Sequence, residues 1–439
     1  MKLFDQNTSF YMPAFFKIKL ATSKQFEDVF GSEVEAVFFH EYLHFLQDVL
    51  TTYGLTNMSK VFNCIKDLYH QVAKMKSEDD FILARPIDFS GTTEINDELF
   101  ALYLKYTNTK ILSVDTEVCN ILITQKSPYG DSDLLVNEYC IELSDGNKYY
   151  LGAHAIMECL CHTVQKKVYN SKYTLQVPYD LPLLVWNYYF KNLPEIKNNM
   201  NLFLDLLEFS LQFYHPAEIL FKTIDILLNK SAVKFDIIES CFYNQLIRTW
   251  NSSDGENCNE LYAKSLATVV KDVNGTLVSD VYIQYKNWII QVLQNSNSYK
   301  SKNKFFFSKL YNMNIYEARQ FISYMFDKIG LPPVYNKNGI IFIKGVIEEQ
   351  RKVLSPFTYI SFFCSQALLS VYSYLRGFSK GCDEDMRQSC IYINNVTKFD
   401  VYNVDDKCTS APFEKFNLVR MCPFTAVWNT LGLGPMQIF

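Results

Sequence analysis

The chain reads as an α+β protein in which helix predominates, and three patterns in its sequence say so. From about Leu181 onward apolar residues recur at helical spacing through one segment after another. Between Thr116 and Leu151 the pattern becomes β-rich, and Ser144-Asp145-Gly146-Asn147 places an Asp-Gly turn between Val136–Leu143 and Lys148–Leu151. Hydrophobic residues fill 49% of the 439 positions while Gly and Pro number only 15 and 13, so the chain can bury a large core and lacks the composition of long linkers.

In chain order, Phe16 to Leu20 alternates apolar residues with lysines and predicts a half-buried strand whose charged side guards an exposed edge. Ser32 with Glu35 three residues later predicts a capping box, and Gly54 a C-terminal cap, so a helix is expected from Glu33 to Tyr53. Lys60–Met75 and Asp97–Tyr106 are expected to be helical, and Gly152 to end the sheet before another helix. Asn201–Tyr214, Pro216–Leu228, Asp236–Thr249, Glu260–Val270, Val281–Gln294 and Phe305–Ile329 follow as helices. Asn251–Gly255 and Asn295–Lys304 are polar breaks, read as loops, and Asn338-Gly339 predicts a small hairpin near 334–344. The expected organisation is an α+β part at 1–180 with a small antiparallel sheet and a mainly helical part at 181–439, or one compact unit if that boundary does not separate two cores.

Composition narrows the partners. A net charge of −5 without a basic cluster argues against nucleic acid, whose phosphates need a basic surface. Val353–Leu375 carries no charge and is long enough to cross a bilayer, but Pro356 and the serines along it suit a protein interior, so no membrane span is expected. The uncharged stretch Met421–Phe439 should dock on an apolar surface. No secretory signal is read at the N-terminus, and twelve scattered cysteines lack the density of a disulfide scaffold, so free thiols and a cytoplasmic location are expected.

The chemistry concentrates at His40-Glu41-Tyr42-Leu43-His44, an HExxH pentad within an apolar helical stretch. Residues four apart project from one helix face, so both imidazoles can grip one zinc ion and leave Glu41 beside its open position. A catalytic zinc needs a third protein ligand. The best segment is Gly152–His162, where His154, Glu158 and His162 fall on one face at spacing four. Glu158 leads because an unpaired carboxylate in that apolar helix would be costly to bury; His154 and His162 stand as alternative ligands or as donors to the ligands. Asp48, four residues after His44, is placed either to orient that histidine or in solvent.

This pattern resembles the zincin metallopeptidases, and within them the gluzincin-like group in which a glutamate on a second, downstream helix completes the site. The resemblance implies a zincin-like N-terminal part, Zn2+ held by His40, His44 and Glu158, and Glu41 as general base. The family often places an aspartate four residues after that glutamate; here the position is His162. The metzincin spacing is excluded, because Leu50 stands where a third histidine would be.

The function so implied is intracellular zinc-dependent hydrolysis of peptide bonds, with a peptide or protein substrate and room for a regulatory protein partner on the helical part. His215 is a candidate for stabilising the oxyanion. Two rivals stand beside it: a zinc hydrolase of small-molecule amides or esters, and a non-catalytic helical interaction protein with a structural or vestigial metal site.

Overall fold

A computed structural model describes residues 9–13, 16–76, 86–87, 92–127, 135–171, 174–230, 234–250, 257–337, 339–342, 356–377 and 422–433. Helix predominates over three small sheets, so the α+β expectation holds. The strands are β1 (Phe10–Met12), β2 (Lys17–Lys19), β3 (Lys110–Ile111), β4 (Val118–Lys126), β5 (Val136–Leu143), β6 (Lys148–Leu151), β7 (Gln176–Val177), β8 (Val334–Asn336) and β9 (Gly339–Phe342). They assemble as β1-β2-β8-β9, β3-β7 and β4-β5-β6. The Asp-Gly turn joins β5 to β6, and the 334–342 hairpin forms as expected.

That hairpin does more than close on itself, because β2 runs parallel to β8 and joins two segments more than 300 residues apart in one sheet. Strand β2 is therefore an inner strand, and the exposed edge predicted for it belongs to β1. Its lysines are covered: Lys17 and Lys19 are each 3% exposed, with Lys17 Nζ 4.5 Å from the Tyr335 ring centre and Lys19 Nζ 5.8 Å from that of Phe10. The four-stranded sheet draws on residues before and after position 180, and one apolar cluster runs from Tyr11 to Leu433.

The motif helix, α1 (Glu35–Leu50), is shorter at both ends than its sequence signals. No capping box forms. Ser32 Oγ donates to Val29 O, and the Glu35 carboxylate accepts from Gly31 N, from Tyr169 Oη and from two nitrogens of Arg319 at 2.6 Å each. A charged fork outcompetes a neutral cap for that carboxylate. At the far end Thr51 is extended, and α2 (Thr52–Lys76) starts at once, with Thr51 Oγ1 accepting from Gly54 N at 3.0 Å. Gly54 is thus no cap for α1: it lies in the first turn of α2, where a Cβ would stand 2.4 Å from Asp48 Cα, so the corner closes only around glycine.

The remaining helices follow the periodicity, with two differences. Asn295–Lys304, read as a loop, begins inside the helix Ile283–Lys300, where Ser296, Tyr299 and Lys300 are buried and Asn295 bonds Gln291 along the outer face. Phe305–Ile329 is two helices, Phe307–Tyr311 and Ile315–Lys328, because Asn314 with Glu317 makes a capping box that starts the second. Asn251–Gly255 lies outside the described residues. The uncharged Pro356–Leu375 helix packs its Tyr374 against Phe424 and Trp428 of the helix Pro423–Thr430, so the two apolar segments cover one another. Among the described residues no helix is long and apolar enough to cross a membrane.

One buried acid titrates far from its usual range. Glu208 is 1% exposed and accepts from the backbone of Phe306 and Phe307, at 3.1 Å each. Burial pushes its carboxyl up to about 7, against the pull of Lys300. In the unfolded chain the group ionises near its ordinary value of about 4.3, so between there and pH 7 the folded state holds the extra proton. The stability this contributes is present at low pH and is lost as pH rises through 7. The stability advantage of wild type over Glu208→Gln should therefore shrink by up to about 3 kcal/mol from pH 4 to 8, read by urea denaturation; a gap that widens instead would refute the assignment.

Candidate metal centre

Helix α1 lies against a second helix that begins where β6 ends, at Gly152; with α3 (Thr92–Leu104) between them in sequence, it is α4 (Ala153–Val168). Ala153, Ile156, Cys159, Leu160 and Val164 of α4 are buried, which fixes its rotation and turns Glu158 toward α1. His40 and His44 stand one turn apart and face it.

The three side chains converge closely. The two Nε2 atoms are 3.1 Å apart, and Glu158 Oε2 lies 3.2 Å from that of His40 and 3.4 Å from that of His44. These three residues can hold a metal ion. Donor atoms around a four-coordinate ion with bonds of about 2.0–2.1 Å stand about 3.3 Å from one another, and the observed separations fit that spacing.

Two glutamines decide which imidazole nitrogens face inward. Gln165 on α4 gives its amide N–H to Ala36 O (2.9 Å), which leaves Oε1 to accept from His40 Nδ1 at 3.1 Å. Gln47 on α1 gives its amide N–H to Met157 O (3.0 Å), and its Oε1 accepts from His44 Nδ1 at 2.8 Å. Both Nε2 atoms then face the same place as a carboxylate oxygen, and each neutral imidazole offers its lone pair there. Three such donors repel unless a positive charge lies among them.

The titration of the group shows that demand. Burial would raise Glu158, but the charge on His44 and hydrogen bonds from His40 and His44 hold it well below the carboxylate range. Burial would lower His44, yet the Glu158 carboxylate and the nearby Cys161 sulfur carry it well above the usual imidazole value. Cys161 Sγ is 3.5 Å from His44 Nδ1, but burial pushes its thiol up to about 11, so at neutral pH the operative charge is that of Glu158.

Glu41 points into the same surroundings. It is 9% exposed; burial pushes its carboxyl up, against the pull of His40 and His44, and the Tyr11 backbone gives it a hydrogen bond. Asp48 is not solvated: it is 1% exposed and accepts from Tyr11 Oη at 2.9 Å. Strand β1 thus meets α1 at two levels through one tyrosine.

His154 and His162 flank the group without joining it. His154 Nδ1 accepts from Thr107 N (3.4 Å), which leaves its Nε2–H 3.6 Å from Glu158 Oε1, the carboxylate oxygen turned away from the histidine pair. His162 Nε2 accepts from Gln176, and its other nitrogen serves Gln165, so it supports the glutamine that orients His40. Burial, Lys166 and His40 push the His162 imidazole down to about 3. His215 donates to Asn137 O at 2.8 Å and packs on Tyr103 and Tyr139; among the described residues no contact joins it to the metal-binding group.

A residue the sequence does not single out lies closer. The Tyr179 ring centre is 6.1 Å from that of His40 and 4.6 Å from that of His162. Burial and the charge of Glu158 push its phenol up to about 12, with Thr109 as a hydrogen-bond partner and His44 and Glu41 within electrostatic reach. It stays a proton donor at neutral pH.

No family model matches the chain, and no curated protein or solved structure matches it either.

Removing the amide that aims His40 should loosen the group. Gln165→Leu is expected to weaken metal binding about 10- to 100-fold in a chelator competition, while His162→Ala, one bond further out, weakens it less; equal affinity in wild type and Gln165→Leu would remove the glutamine from the site.

Proposed function

We propose that the chain is an intracellular zinc-dependent metallopeptidase. The observation that carries this reading is the spacing of 3.1, 3.2 and 3.4 Å among two imidazole nitrogens and a carboxylate oxygen, with a buried glutamate one residue along the helix from the first imidazole. A His2Glu donor set suits zinc. When bound there, zinc would supply a Lewis acid that polarises a carbonyl and makes water acidic enough to lose a proton near neutral pH.

The chain's own residues divide the remaining work. His40, His44 and Glu158 hold the ion, and Gln165 and Gln47 keep the two Nε2 atoms turned inward. Glu41 accepts a proton from water and returns it to the leaving amine, a task its raised carboxyl pKa suits. The Tyr179 phenol donates to the carbonyl oxygen as that oxygen gains charge, in place of His215.

Glu41→Gln should keep one equivalent of metal by elemental analysis and lose about 10²- to 10⁴-fold in turnover, whereas His44→Ala should lose the metal. New protein N-termini present in cells with wild type and absent with Glu41→Gln would identify peptide substrates. If none appears while both proteins hold zinc, the peptidase reading fails and the small-molecule rival takes its place. Tyr179→Phe is expected to cut kcat about 10²-fold with KM little changed; an unchanged kcat would rule the phenol out.

A further inference from the structure

Strand β4 is largely exposed, with Ile121 partly buried against the core. Of its nine residues only Val118 is buried, and Leu122 and Ile123 are 39% and 56% exposed. It pairs on one side with β5, and among the described residues no strand pairs with the other. A long exposed edge invites another strand, and the usual defences of proline or charge are missing from Val118 to Gln125; Lys126 stands only at the end. The register shift between Val118 and Asn120 leaves Cys119 as a bulge and makes Asn120–Lys126 the regular stretch.

We propose that β4 pairs antiparallel with β4 of a second copy, joining two three-stranded sheets into one of six strands. Opposed residues in a sheet share a face, so a two-fold pair must set one residue opposite itself. Centred on Leu122, the strand matches its own reverse: Leu122 meets Leu122, Ile121 meets Ile123, and Asn120 meets Thr124. Shifted to Ile121 or Ile123, the pairing sets Leu122 opposite Asn120 or Thr124. The centred register also carries Lys126 of each copy to the end where the other has Glu117, so the charges at the two ends are complementary. This pairing is independent of the metal centre.

Sedimentation velocity of the full chain from about 1 to 100 μM, the range of a weak interface, should show a monomer–dimer equilibrium. Ile121→Lys with Ile123→Lys should raise its dissociation constant at least about tenfold without changing the circular dichroism. The register has its own test. Opposed Cα atoms lie about 4.5–5.5 Å apart, so Leu122→Cys in a Cys119→Ser background should form a disulfide dimer under mild oxidation, and Thr124→Cys in that background should not. A monomer at every concentration, a dimer indifferent to the lysines, or equal cross-linking at both positions would overturn the proposal. If the lysine variant misfolds, the cross-linking pair decides.

Discussion

Two glutamine side chains brace α1 and α4 against one another, and the meeting of His40, His44 and Glu158 depends on that brace. Gln47 reaches from α1 to Met157 O, and Gln165 reaches from α4 to Ala36 O. Each spends its amide N–H on the opposite backbone and its carbonyl on a histidine, so one residue sets both the helix spacing and the tautomer. Were either amide turned over, an N–H would face an Nδ1–H and an Nε2 would be lost as an inward donor. The Glu35–Arg319 fork, with Tyr169 from the end of α4, locks the same pair of helices near the start of α1.

The site sits in a medium that amplifies charge. His40, Glu41 and His44 are each less than a tenth exposed, so a proton or cation among them is felt by all of them. A positive charge at the centre lets Glu158 stay ionised, and the same burial holds Glu41 above the usual carboxylate range and Tyr179 protonated. Burial raises both groups, so Glu41 holds a proton more readily than an ordinary carboxylate and the Tyr179 hydroxyl keeps its own.

The histidine pair and Glu158 could be read from the sequence because helical spacing sorts them onto facing stripes and apolar neighbours bury them. Their supports could not. Gln47, three residues after His44, and Gln165, seven after Glu158, lie on the right faces, but glutamine on a helix is ordinary and only the meeting of two helices shows what it bonds. Tyr179 is one of 30 tyrosines, placed by the β3–β7 pairing of two distant segments. The capping box misled because local pattern ignores a remote arginine, and the lysines of β2 misled because alternation cannot tell water from aromatic rings. Gly54 carried a signal of the right kind, a need for no side chain, whose reason was a close helix corner and not a cap.

The hydrogen bond from Tyr11 to Glu41 has a consequence for synthesis. Tyr11 is held by β1, β1 by β2, and β2 by β8, while Asn336 donates to Lys24 O across 312 positions of the chain. A ribosome makes the pentad early but the strand that anchors its neighbour late. Until residues 334–336 emerge, the nascent protein carries its glutamate without the finished wall beside it, so maturation of this centre waits until about three quarters of the polypeptide has been made.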